Sequence, residues 1–222
     1  MTGGASTGGT DGGSIACSAI LCEDFESGTL DPTVWTQHSN NGSVALQSSK
    51  VAHGQHAAHF HMDPGKAHAY ISESKTYPAL DREAYGRMYF RLEPAGPPSH
   101  TVFVSGGIMD GTAHLELGNY DGGWQLTFWS PNKGEDIGVG TAKYPVNQWS
   151  CIEWHFNDRP GEIEVWVDGV SRGSKTRTEN DWTDGFKEIA FGLYLFSSVD
   201  HATDLYLDDI VLNNQRVGCL PP

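Results

Sequence analysis

In the segment AHLEL a histidine and an acid stand two residues apart, and strand alternation puts His114 and Glu116 on one side with Leu115 and Leu117 on the other. By the same rule Gln125, Thr127 and Trp129 share a side of the next strand, and Tyr194 and Phe196 share a side of a later one. If these faces coincide, an open sheet carries an imidazole, a carboxylate, an amide, a hydroxyl and several aromatic rings. Rings stack on the apolar faces of sugars, while polar groups among them bind hydroxyls and set orientation. His100, just after Pro97 and Pro98, can reach the same groove. The chemistry expected is therefore the handling of a polysaccharide, with Glu116, Gln125, Thr127, Trp129 and Phe196 as substrate-binding groups. A histidine held on a strand by an ordinary hydrogen bond would give His114 the same sequence signature.

The elements that must position these residues are short. Period-two alternation marks residues 85–92, 113–117, 124–130, 149–156, 161–169, 189–196 and 205–212. Turn residues fall between them, at 94–98, 121–123, 131–134, 158–161 and 168–169. Brief helical turns are expected near 31–35 and 180–185, but no segment carries an amphipathic helical stripe. A dozen or so strands without helices must cover one sheet with another, so the fold class expected is all-β, a two-sheet antiparallel sandwich. With 38% hydrophobic residues, including seven Trp, eight Tyr and nine Phe, 222 residues fill the space between two sheets as one domain.

Residues 1–14 are almost purely Gly, Thr, Ser and Ala and read as a flexible linker, leaving 15–222 as the folded unit. Such a linker suggests a removed signal peptide or lipid anchor, hence a secreted or cell-surface protein. Four cysteines without a CxxC pair give no zinc pattern. Their even number favours two disulfides, expected as Cys17–Cys22 and Cys151–Cys219. The net charge of −14 repels nucleic acid and anionic membranes, so neither is an expected partner. A monomer is expected.

Several segments together point further. These are DFESG at 24–28 with Trp35 and VAHG at 51–54, SHTVFVSGGIMD at 99–110 leading into AHLEL, and CIEWHF at 151–156. The C-terminal run adds FG at 191–192, LDDI at 207–210 and RVGC at 216–219. In this order, across roughly residues 20–220, they resemble the cellulose-induced secreted protein of cellulolytic fungi and its relatives, the glucuronan lyases, in the concanavalin-like jelly-roll superfamily. The resemblance implies a β-jelly roll, a groove for cell-wall polysaccharide and a structural calcium ion. Glu26 and Asp208 match the carboxylate ligands, each beside a further acid, Asp24 and Asp209. Backbone carbonyls around 53–56 would complete the shell. On the residues alone these acids read equally as solvated strand ends. The resemblance also supports the Cys151–Cys219 bridge.

A lyase of this kind removes the C5 proton of a uronate, protonates the departing oxygen and neutralises the carboxylate. His114 or His100 is the candidate base and Tyr194 or Tyr120 the candidate acid. The sequence departs from the pattern at two points. Glu116 stands where the fungal relative has Arg, and Phe196 stands where it has Tyr. A carboxylate beside a uronate opposes binding, so the substrate leans to a neutral glycan unless Arg87 or Arg91 acts as the neutraliser. Non-catalytic binding is favoured over β-elimination on this ground.

Glu162 and Glu164 faintly echo the carboxylate strand of laminarinase-type glucanases, but Trp166 stands where the third acid belongs. Five histidines, His53, His56, His59, His61 and His68, crowd one stretch. His59 and His61 share a strand face with His56 nearby. A copper or zinc site is conceivable there, though a solvated alternating strand is the preferred reading.

Overall fold

The computed structural model describes residues 17–80, 83–93, 100–107, 114–120, 123–129, 135–157, 159, 161–178, 186–196 and 198–220. The expected linker, the turns at 94–98 and 131–134 and the helical turn at 180–185 lie outside the described residues.

Alternation becomes pleat along the chain. In order, the strands are β1 (Leu21–Glu23), β2 (Thr36–Asn40), β3 (Gly42–Gln47), β4 (Ala57–Met62), β5 (His68–Glu73), β6 (Glu83–Glu93), β7 (Thr101–Gly106) and β8 (His114–Tyr120). They continue with β9 (Gly123–Trp129), β10 (Glu135–Lys143), β11 (Ser150–Asn157), β12 (Gly161–Val167), β13 (Val170–Arg177), β14 (Ile189–Leu195) and β15 (Thr203–Asn213). In β12, for instance, Ile163, Val165 and Val167 are buried while Glu162 and Glu164 face away from the core.

These strands form two antiparallel sheets. The back sheet runs β13-β12-β11-β6-β15-β4-β3, with β1 also paired to β15, and the front sheet runs β10-β9-β8-β7-β14-β5-β2. The fold is a two-sheet jelly-roll sandwich, as expected. Among the described residues the single helix is a 3-10 turn, Tyr77–Leu80, and none is long and apolar enough to cross a membrane. It was not foreseen. The Glu73 carboxylate receives the amides of Lys75 and Tyr77 and so holds its start. The expected turn at 31–35 is present: the Trp35 amide donates to the Asp31 carbonyl at 2.8 Å.

The core between the sheets is aromatic. Phe90 of the back sheet meets Phe103 and Trp124 of the front sheet edge-on, with centroids 4.9 and 5.3 Å away, and Trp154 lies 5.9 Å from Phe191. Trp154 occupies the space that a side chain at Gly86 would need. A Cβ there would sit 2.0 Å from the indole, so only glycine serves.

The RVGC segment fastens the C-terminal tail to the outer side of the back sheet. Buried Glu153 receives two hydrogen bonds from the Arg216 guanidinium, at 3.1 and 2.8 Å, and a third from the Gly218 amide at 2.9 Å. Arg216 also lies over the Trp166 ring, 4.3 Å from its centroid. The Cys151–Cys219 disulfide joins residues 68 apart in sequence. Closing so long a loop is worth about 4 kcal/mol in the chain-entropy model. Cys17–Cys22 is bonded as well, so both expected pairings occur and no described cysteine is free.

Candidate functional site

The outward face of the front sheet follows from strand register. One row of paired positions crosses six strands: Thr127, Glu116, Ser105, Ala190, Ser72 and Thr36. The next row runs Gln125, Gly118, Val102, Tyr194, His68 and Asn40. Beyond the first row His114 pairs with Trp129, and between the two rows Tyr70 pairs with Gly192 and His38. The positions 114, 116, 125, 127, 129 and 194 therefore lie on one face, with Leu115, Leu117, Leu126 and Phe128 buried beneath. A shallow depression lined by Tyr70, Val102, Ser105, Ala190, Gly192 and Tyr194 marks the middle of it.

Two imidazoles flank the carboxylate. His114 Nε2 donates to Glu116 Oε1 at 2.9 Å, and His100 Nε2 stands 3.8 Å from Oε2. Burial alone would raise the Glu116 carboxyl, but His100 and His114 outweigh it and hold the group below the usual carboxylate range. His100 adopts a positive φ of 68° at the entry to β7, which brings its ring onto Phe196 at 4.3 Å. His114 stacks on Trp129 at 5.2 Å.

From Phe196 the rings continue across the sheet. Phe196 meets Tyr194 at 5.2 Å, Tyr194 meets His68 at 5.7 Å and Tyr70 at 6.1 Å, and Tyr70 stacks on His38 at 4.5 Å. His38 Nε2 and Ser72 Oγ are hydrogen-bonded at 3.0 Å. Burial keeps His68 below and Tyr70 above their ordinary pKa values. The two halves of the face differ in access. Glu116, His114, Gln125 and Thr127 are buried, whereas His38, His68, Tyr70 and Tyr194 are half-buried and Phe196 is 44% exposed.

Tyr120 ends β8 opposite Gly123, and its side chain lies outside the described residues. Not every other expected group comes here. Arg87 and Arg91 cannot neutralise a ligand on this face, which corrects that expectation. They sit on β6 of the back sheet, where Arg87 donates to the Gly218 carbonyl and Arg91 pairs with Glu93. Glu162 and Glu164 also belong to the back sheet. In turn His38, His68, Tyr70, Ser72 and Ser105 join the face without having been singled out for it. The signal for His38, His68, Tyr70 and Ser72 was alternation in TQHSN and HAYISE, and Ser105 stands next to last in TVFVSG.

The acids expected to hold calcium grip one loop from its two ends. Asp208 Oδ2 accepts the amides of Ala52 and His53 at 2.9 and 3.2 Å, and Glu26 Oε1 accepts those of Gln55 and His56 at 2.8 and 2.9 Å. Gly54 between them runs against the Glu26 carboxylate, where a Cβ would come within 2.4 Å of an oxygen. The loop thus serves these carboxylates through its N–H groups. Burial pushes the Asp208 carboxyl up to about 7, against the amides that favour its charge. Asp208 Oδ1 also accepts the Asp209 amide at 2.9 Å, while Glu26 Oε2 lies outside these bonds. Two carboxylates around a tight loop, one of them poorly solvated, suit a hard cation in donor type.

No family model and no curated protein matches the sequence. Solved structures do match. The cellulose-induced protein Cip1 superposes with a TM-score of 0.71 at 20% identity, over 90% of this chain and 100% of that one. An endo-β-1,4-glucuronan lyase from the fungus Trichoderma reesei gives 0.65 at 16% identity, over 89% and 96%. A botulinum neurotoxin type C structure, described for its interaction with two ganglioside molecules, gives 0.62 at 11% identity over 90% of this chain and 48% of that chain. These likenesses establish a common fold, including that of the resemblance read in the sequence.

Proposed function

We propose that the chain is a secreted polysaccharide-binding protein that lays a neutral glycan along the front face. The observation that carries this reading is the run of rings from His38 through Tyr70, Tyr194 and Phe196 to His100, each next to the last, along a partly exposed sheet. Successive rings offer stacking platforms to successive sugars, and Ser72 and Asn40 place polar groups beside them. Glu116 weighs against an anionic sugar, since it keeps its charge between two imidazoles. The fold shared with a cellulose-induced protein supports a plant or microbial cell-wall polysaccharide, and the two disulfides suit an oxidising, extracellular compartment.

Binding is tested by pull-down and affinity electrophoresis on cellulose, xylan and mannan. Retention on at least one is expected, and Tyr194→Ala or Phe196→Ala should weaken it about tenfold, the loss of one central aromatic contact. Complete failure to bind every neutral glycan tried would refute the reading.

β-Elimination is a second reading with its own observation: His100, Phe196 and Tyr194 run together beside Glu116, which places an imidazole and a phenol on one groove. Incubation with glucuronan, alginate or pectate decides it. Ultraviolet absorbance of unsaturated uronate would rise for a lyase, and no rise is expected.

Calcium belongs to the same proposal as a structural ion held by Glu26 and Asp208. An ion bound only by the folded chain adds stability, so excess chelator should lower the melting temperature, and Asp208→Asn should erase that response. An unchanged melting curve in chelator would remove the ion from the account.

A further inference from the structure

On the back sheet, far in register from the candidate groove, two neighbouring strands bring three donor atoms to one point. His59 and His61 alternate on β4, and Asp204 on β15 pairs directly with His61. His59 Nε2 lies 2.7 Å and His61 Nδ1 2.8 Å from the same oxygen, Asp204 Oδ1, and all three ligand atoms fall within 4.8 Å of one another. Of the five histidines that crowd this stretch, His53, His56 and His68 lie outside the cluster, His53 paired with Asp209 and His68 stacked on Tyr194. The third ligand is an acid 143 residues downstream of His61, which no local pattern announces.

We propose that His59, His61 and Asp204 form a site for a divalent transition metal, zinc in the first instance. Two nitrogens and one carboxylate oxygen are the donor set of zinc centres that keep an open position for water. The nitrogens also separate this site from one for calcium, which takes oxygen. In the metal-free arrangement protons fill the gaps between Asp204 and the imidazoles. A metal in their place needs donors about 3.3 Å apart, given zinc bonds of about 2.0–2.1 Å. The two N···O separations of 2.7 and 2.8 Å must open to that value, which takes rotation of the Asp204 carboxylate together with the imidazoles.

The surroundings are those of a held ligand set. Asp63 Oδ1 lies 3.4 Å from His61 Nε2, so the ring can give that proton to a carboxylate and turn Nδ1, unprotonated, to the metal. Outer carboxylates of this kind fix the tautomer of metal-binding histidines. The His59 ring lies flat on Tyr206, with centroids 4.6 Å apart and planes within 6°. The three side chains are 25%, 31% and 28% exposed, which leaves an ion a path in and room for water.

The test is isothermal titration of the untagged, calcium-saturated chain with zinc chloride near neutral pH. One site per chain is expected. His61→Ala and Asp204→Asn should each weaken it by at least tenfold, and Asp63→Asn by about tenfold, the usual cost of an outer-shell partner. Circular dichroism and melting without zinc confirm that each variant is folded, and His59→Ala replaces either one that is not. Copper(II) bound at the same site should show two imidazole nitrogens by electron paramagnetic resonance. No heat at zinc concentrations of about 100 μM, on the order of the weakest affinity a specific site would show, would overturn the proposal. Binding that stays unchanged in the ligand variants would overturn it as well, since the zinc would then sit on other histidines.

Discussion

Among the described residues a carboxylate stands between two imidazoles on each of the two sheets. On the front, His114 and His100 approach different oxygens of Glu116, at 2.9 and 3.8 Å. On the back, His59 and His61 approach a single oxygen of Asp204, at 2.7 and 2.8 Å. The front acid is 5% exposed and its neighbours are aromatic, while the back acid is 28% exposed and lies open to water. The same three groups thus have different uses. Spread over two oxygens under rings, they suit a fixed polar spot in the proposed sugar platform. Converging on one oxygen beside solvent, they make a ligand set.

The contrast breaks most sharply on stability. Glu116→Ala breaks the buried His114–Glu116 pair and should cost about 3–5 kcal/mol, lowering Tm by about 6–20 °C in a domain of this size. Asp204→Ala, at a part-exposed pair, should cost about 1 kcal/mol or less. Thermal unfolding of the two variants side by side checks the comparison, and equal losses would abolish it.

Zinc should sharpen the difference next. At about a hundredfold over Kd a ligand confined to the folded state adds about 2.7 kcal/mol, a rise of about 5–10 °C. Asp204→Asn should lose this rise and Glu116→Gln should keep it.

The smallest effect is in protonation, read without metal. Asp204 raises the His61 pKa and burial lowers that of His68. The His61 contribution is present below the unfolded value of about 6.5 and disappears as pH rises through its folded pKa. For His68 the unfolded chain binds protons more readily, so stability falls as pH drops from about 6.5 towards its lower folded pKa. Imidazole resonances followed by NMR should titrate in the order His68 below His61, and Asp204→Asn should move His61 down towards the free value.

Much of this was legible in sequence because strand alternation is local. GEIEVWV and AHLEL each state their own inside and outside, and Trp149 onward, Ile189 onward and Leu205 onward do the same. β8 runs to Tyr120, past the expected end at 117, because Gly118 and Asn119 carry no apolar alternation. The neighbours of Tyr194 were not legible. His68 and Tyr70 reach it through β5–β14 pairing, which joins residues far apart in the chain. Asp204 escaped for the same reason, since it stands 143 residues from His61. Arg87 and Arg91 were placed in the groove by chemistry alone, without the sheet order that puts β6 at the back.

Both described ends of the chain are fastened on that far side: β1 is paired to β15, and the tail through Leu220 is hydrogen-bonded to Tyr89 on β6. A bead, a dye-bearing tag or a second module joined directly at residue 17 or residue 220 would therefore stand behind the sandwich. Immobilised that way, the protein should present its row of rings outward to an insoluble fibre.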